Sequence, residues 1–243
     1  MTYTVPTISK SLLDQTHVLI GGTTGCGKST LLHSIMYTGL AANNKWFILI
    51  DPKMTELAKY KKCSGVIKYA STADEAVSAL DVAIGIMEQR QKKASRMGWS
   101  MYDGDDIYVM IDELADLMLS AKGKVIERQL QRLLQVARSA RIHVIACTQA
   151  PNRKTIPASI QLNMTCVCGM ACRNAIESKQ LIGMNGCELL PLPVPGEDPQ
   201  RLMYVQIAGR REPGLWEVPY INDDAVRAMI KARPRKLFQG MPA

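Results

Sequence analysis

Residues 22–29 read Gly22, Thr23, Thr24, Gly25, Cys26, Gly27, Lys28, Ser29, a complete G-x-x-x-x-G-K-S directly behind the short apolar run His17–Gly21 and ahead of a helical pattern from Thr30. That order constrains the fold more than any other feature. A buried strand, a glycine-rich loop and a helix start bring successive backbone N–H groups onto one point. Glycine permits the convergence because it lacks the Cβ that would block left-handed backbone. The helix start adds unpaired N–H groups and the positive end of its dipole. A polyphosphate fits such a cradle. Lys28 would meet its outer phosphates, Gly22–Thr30 would wrap it, and the Ser29 hydroxyl would ligate Mg²⁺. The expected ligand is a nucleoside triphosphate. A chance glycine-rich turn is the alternative.

Further apolar runs recur at Trp46–Ile50, Val66–Ala70, Ile107–Ile111, His143–Cys147 and Met164–Met170, with a late strand at Arg201–Ile207. Most are continuous, as strands covered on both faces should be. Helical patterns fill the gaps: Thr30–Ala42, Thr72–Met97 with a capping box of Thr72 and Glu75, and Val125–Ala140. The alternation predicts an α/β fold with a mostly parallel central sheet and helices on both faces. One domain over residues 1–231 is expected, then a basic, flexible tail over 232–243. The Pro-rich segment Leu189–Gln200 reads as an exposed loop.

With 243 residues the chain can bury a sizeable core without disulfides. Seven cysteines and no secretory leader predict reduced thiols and a cytoplasmic location. No apolar run approaches the roughly 18 residues needed to span a bilayer, so no membrane segment is expected. The formal net charge of +8 suits a polyanionic partner without proving one. Cys166 and Cys168 fall on one strand face as small buried hydrophobes. Cys26, beside Lys28 and a helix start, is expected to have a lowered thiol pKa and to be open to oxidation.

Asp112 and Glu113 leave the carboxyl end of the run Ile107–Ile111. There Asp112 would hold Mg²⁺ or its water, and Glu113 would take the proton from an attacking water, which points to hydrolysis. Acidic residues at a helix start are the alternative. Thr148 and Gln149, leaving His143–Cys147, would sense the γ-phosphate and position the water, or merely cap the strand. Asp51-Pro52-Lys53 leaves a third strand and is by itself a weak signal.

Gly21–Ser29, Ile50-Asp-Pro-Lys-Met-Thr-Glu-Leu57, Ile111-Asp-Glu-Leu-Ala-Asp-Leu-Met118 and Ala137–Gln149 occur in that order. Together they resemble the motor domain of FtsK/SpoIIIE-type DNA translocases, within the FtsK–HerA group of P-loop ATPases, over roughly residues 15–190. The resemblance implies a RecA-like fold, a hexameric ring of identical chains, ATP and Mg²⁺ as cofactors, and double-stranded DNA moved through a central pore. It implies an arginine finger supplied by a neighbouring subunit: Arg138 matches, and Arg141, where the family usually has glycine, is a second candidate. A solvated helix face or a local ion pair is the alternative for both. Family DNA contacts map loosely onto Arg153, Lys154, Arg173 and Lys179, since Ala150 stands where the family carries an arginine.

Full-length cell-division translocases carry membrane segments, a linker and a winged helix. Their absence here suggests a minimal motor in a plasmid, phage or other mobile-element setting. A different class of function stays open: a conjugative coupling or recruitment ATPase docking a relaxase or secretion partner through the Pro-rich loop and basic tail. So does an ATPase that remodels protein.

Overall fold

The computed structural model describes residues 5–149, 152, 155–192, 201–232 and 238. Eight strands form one sheet: β1 (His17–Gly21), β2 (Lys45–Ile50), β3 (Val66–Ala70), β4 (Asp106–Ile111), β5 (Ile142–Thr148), β6 (Cys166–Gly169), β7 (Leu202–Ile207) and β8 (Gly214–Glu217). Their order is β3-β2-β4-β5-β1-β6-β7-β8. The first six run parallel, and β7 and β8 pair antiparallel at the edge.

Both faces are covered, which is why the inner strands read as unbroken apolar runs. Alternate residues divide between two cores. Ile48, Ile50, Ile107, Val109, Ile111, Val144 and Ala146 pack under α3 (Ala73–Arg96) and α5 (Gly123–Val136). Phe47, Leu49, Tyr108, Met110, Ile145 and Cys147 pack under α1 (Val5–Leu13) and α2 (Lys28–Ala41). Cys166 and Cys168 share that second face as expected. Thr72 and Glu75 form the expected capping box on α3.

Several elements depart from expectation. Helix α1 precedes the first strand, burying Ile8, Leu12 and Leu13. Helix α5 stops at Val136 and tightens into a 3₁₀ turn, Ala137–Ala140. Short helices α4 (Leu114–Leu119), α6 (Ala158–Gln161) and α7 (Ala175–Ile182), the edge strand β8, and α8 (Asp223–Ala232) were not anticipated. Residues 193–200 of the Pro-rich loop and most of the basic tail, 233–237 and 239–243, lie outside the described residues. Phe238, in the segment expected to be free, packs edge-on against Trp46 with ring centres 5.1 Å apart. Among the described residues no helix is long and apolar enough to cross a membrane.

Candidate functional site

Parallel strands in register bring their carboxyl ends to one rim. Ile50 pairs with Ile111, Ile111 with Ala146, and Gly21 with both Thr148 and Gly169. The residues that follow, Asp51, Asp112, Gln149 and Gly22, therefore leave the sheet side by side. Ligands of open parallel sheets bind at this edge. β5 stands between the loop strand β1 and the acidic strand β4.

The glycine-rich loop is sewn to both neighbours of β1. Gly22 N donates to Thr148 O at 3.3 Å, and Thr23 N to Ala171 O at 2.8 Å. Gly22 has φ 157° and no room for a side chain: a Cβ would lie 2.8 Å from both Cys26 Sγ and Met170 Cβ. Gly27, at φ 105°, turns the chain into α2. The buried ammonium of Lys28 donates to Gly22 O at 2.8 Å and Thr23 O at 2.7 Å. It is held at the mouth of the loop by carbonyls that outer phosphate oxygens would outcompete.

Glu113 is 2 % exposed and caps α4. Its Oε1 accepts from Ala115 N at 3.3 Å and Gln149 N at 3.2 Å, and its Oε2 from Lys53 Nζ at 3.4 Å. Gln149 in turn accepts from Thr24 Oγ1 at 2.8 Å through Oε1. Gln149 thus bridges the phosphate loop and Glu113, more than a strand cap requires. Beneath them, burial pushes the Cys147 thiol well up, and Asp112, Lys28 and Glu113 all act on it electrostatically. Lys28, Asp112 and Glu113 thus all come near enough to Cys147 to act on its charge.

Asp112 lies in this acidic patch. Burial first, then Asp51, Glu56 and Glu113, push its carboxyl up to about 7, with Lys53 opposing. A half-buried carboxylate facing three others is short of positive charge. Ser29 and Asp112 could each offer an oxygen to a divalent cation, but among the described residues no group of three or more His, Cys, Asp or Glu is arranged to hold one.

Buried Asp51 is structural: its Oδ2 accepts from Leu57 N at 2.9 Å and Ala58 N at 3.1 Å. That folds the Asp-Pro-Lys loop so that Lys53 reaches Glu113 and Asp116, and Glu56 reaches α2. A hydrogen bond with His33, 2.9 Å away, lowers the Glu56 carboxyl most; burial opposes, and a second bond to the Ser29 hydroxyl lowers it further. The signal was present in the spacing of Asp51, Lys53 and Glu56, whose roles only the folded loop reveals.

The expectation for Cys26 is overturned. The thiol is 2 % exposed, and burial pushes its pKa up despite Lys28. It packs against Met170 Sδ at 3.7 Å as core, with Lys28 Nζ also 3.7 Å from its sulfur.

Arg138 is exposed in the 3₁₀ turn before β5, on the rim opposite Gln149. Seven residues of strand separate the two rims, about 20 Å at roughly 3.3 Å per residue. Arg141 has φ 56°, the left-handed conformation that explains glycine as its usual occupant. Its Nε donates to buried Asp106 at 2.8 Å, so its charge is engaged within its own chain. Clefts on this far rim are lined by Asp14, Arg138 and His143, and by Ile8, Gln15 and Trp216. Arg173 and Lys179 are exposed beside and on α7, and the Arg173 guanidinium lies 4.0 Å from Glu177. Arg153 and Lys154 lie outside the described residues.

The FtsK/SpoIIIE family profile matches residues 7–106 and 94–153. A DNA translocase FtsK of Mesorhizobium japonicum is 32 % identical over 262 residues, covering 88 % of this chain and 28 % of its own length. The chain spans under a third of that relative. The pCW3 conjugation coupling protein TcpA superposes with a TM-score of 0.77 at 21 % identity, over 92 % of this chain and 66 % of its own. The cytoplasmic domain of the type VII secretion ATPase EccC of Thermomonospora curvata gives 0.70 at 16 % identity, over 94 % and 29 %. The fold is thus the RecA-like P-loop fold of these ATPases. A phosphate loop joined through Gln149 to a buried glutamate, on a sheet of this order and in a sequence matching the profile over most of its first 153 residues, places the chain in the FtsK/SpoIIIE family.

Proposed function

We propose that this chain is the motor of a DNA translocase, hydrolysing ATP between subunits of a ring to move double-stranded DNA. The observation that carries the reading is the division of the machinery between two rims. Lys28, Ser29, Asp112, Glu113 and Gln149 gather on one, while the matching arginine, Arg138, stands about 20 Å away on the other, too far to serve its own site. A ring in which one subunit's far rim faces its neighbour's phosphate loop unites them. Ser29 and Asp112 would hold Mg²⁺, which supplies charge neutralisation for the phosphates. Lys28 would exchange its carbonyl partners for outer phosphate oxygens. Glu113, held by Gln149 N and Lys53, would receive the proton of the attacking water, and Gln149 would orient that water. Arg138 of the neighbour would meet the charge developing on the γ-phosphate.

DNA as the moved substrate is supported by membership of the family, by the translocase relative and by the net charge of +8. Arg173 and Lys179 offer phosphate contacts that read no sequence. A mobile-element setting belongs to the same proposal.

Mixing tests the division of labour. Arg138→Ala and Glu113→Gln chains, each nearly inactive alone, should regain DNA-stimulated ATPase when combined, because one junction type pairs an intact glutamate with an intact arginine. No recovery in the mixture sinks the shared site. DNA stimulation should fall steeply with salt, by a slope near 0.9 per phosphate neutralised. An ATPase rate indifferent to duplex DNA at every salt concentration would favour the recruitment reading.

A further inference from the structure

The loop also touches a pair of residues on its other flank. Arg201 immediately precedes β7, and its side chain lies against Gly27: a Cβ built there would sit 3.1 Å from Arg201 Cδ and 3.8 Å from Nε. The Arg201 carbonyl is fixed by Val218 N at 2.6 Å. Its guanidinium carbon lies 5.5 Å from the ring centre of Tyr220, and among the described residues it makes no ion pair. Tyr220 is 59 % exposed and sits just ahead of α8, which packs beside α2. A half-buried guanidinium thus lies over an exposed aromatic ring beside the phosphate loop, with no role in the hydrolytic set.

The sheet order gives them a direction. β4, which leads into Asp112 and Glu113, lies two strands to one side of β1, and β7, which follows Arg201, lies two strands to the other. A triphosphate whose outer phosphates point toward Asp112 and Glu113 sends its nucleoside the opposite way. We propose that Arg201 and Tyr220 form the base platform of the nucleotide site, on which a purine ring stacks. The proposal rests on the reading of the loop as a nucleotide cradle. Arg fits because its guanidinium is planar and stacks on rings, which an ammonium cannot do. Stacking on aromatic groups tolerates any base and grows with ring area. The site should therefore prefer purines to pyrimidines while separating ATP from GTP only weakly.

Nucleotide affinity should be measured with Mg²⁺ for ATP, GTP and CTP, alongside competition by inorganic tripolyphosphate, which fills the cradle but has no base. Tyr220→Ala and Arg201→Ala should each weaken ATP about tenfold, within the range of a base losing its stacking partner, and leave tripolyphosphate unchanged. Tyr220→Phe should bind ATP like the unaltered chain. Arg201→Lys should behave like Arg201→Ala. A 2-aminopurine nucleoside triphosphate should be quenched on binding to the unaltered chain and to Tyr220→Phe, and much less on binding to Tyr220→Ala. Tyr220 is exposed, so its replacement leaves the core intact. Equal loss of ATP and tripolyphosphate in the alanine variants, or full rescue by Arg201→Lys, would overturn the platform and make Arg201 a phosphate contact. If the unaltered chain binds neither ATP nor tripolyphosphate, the cradle itself has been misread.

Discussion

Strand β4 carries a buried or half-buried aspartate at each end, and the two are treated in opposite ways. At the amino end, Asp106 receives Lys45 Nζ at 3.0 Å, Arg141 Nε at 2.8 Å and His143 Nε2 at 3.4 Å. Burial pushes its carboxyl up, but those three hydrogen bonds outweigh burial and hold it well below the ordinary carboxylate range. At the carboxyl end, Asp112 faces Asp51, Glu56 and Glu113 with only Lys53 in opposition, and its pKa rises to about 7. One carboxylate is over-supplied with positive charge and the other is starved of it. Asp106 locks the amino ends of β2, β4 and β5 together, whereas Asp112 stores repulsion that a cation would relieve. The contrast marks the carboxyl end of β4 as the end to test for a ligand, because perturbed carboxylates collect where a ligand supplies the missing charge.

The largest effect expected separates chemistry from binding. Glu113→Gln keeps the bonds to Ala115 N and Gln149 N through its carbonyl oxygen but loses the base. ATPase turnover should fall by about 10²–10⁴-fold, the usual worth of a general base, with ATP affinity within a few-fold of the unaltered chain. Single-turnover hydrolysis and nucleotide titration check this. Turnover persisting in Glu113→Gln would move the base elsewhere on the rim.

The next expectation lies at the other end of the strand. Asp106→Asn leaves Lys45 and Arg141 without their shared anion, and should cost about 3 kcal/mol in denaturant unfolding, as breaking a buried ion pair does. The lost stability should be pH-dependent. A lowered folded pKa means that the Asp106 contribution is complete above the unfolded value near 4 and drains away as pH falls further. The variant should therefore lack part of the acid-side slope of the unaltered chain. ATP affinity per folded molecule should be unchanged, since Asp106 stands on the rim opposite the phosphate loop. Normal stability in Asp106→Asn would remove the distinction drawn between the two ends.

How much of this was open to inspection in the amino-acid order follows from burial. Strands covered on both faces carry continuous apolar runs, so β1 to β6 and the loop between β1 and α2 were legible, as were Asp112 and Glu113 at a strand end. Edge strand β8 alternates half-buried and exposed residues and carries no such run. Helix α1 is short, opens Val5-Pro6, and offers only Ile8, Leu12 and Leu13 as a stripe. Lys53 and Glu56 stood in view, yet their reach depends on Asp51 binding the loop's own N–H groups, a tertiary event. Arg201 and Tyr220 lie nineteen positions apart and meet only because β7 and β8 fold back as a pair. Cys26 was misjudged because charge near a thiol is visible in sequence and burial is not.

The smallest effect is the sharpest test of the contrast, because its sign is reversed. Asp112 has a folded pKa near 7 against about 4 in the unfolded chain, so the native state holds the extra proton between those values. The sign then runs against that of Asp106: stability falls as pH rises from about 4 to 7, and the whole penalty is present above pH 7. Asp112→Asn removes a repelled carboxylate and should stabilise the metal-free chain at pH 8 by about 1–2 kcal/mol, with the gain vanishing near pH 4. Added Mg²⁺ should raise the melting temperature of the unaltered chain at pH 8 and do little for the variant, because the relief a cation brings is already in place. A destabilised Asp112→Asn, or equal Mg²⁺ responses in both chains, would mean that the acidic rim is balanced from within and that β4 does not divide scaffold from site.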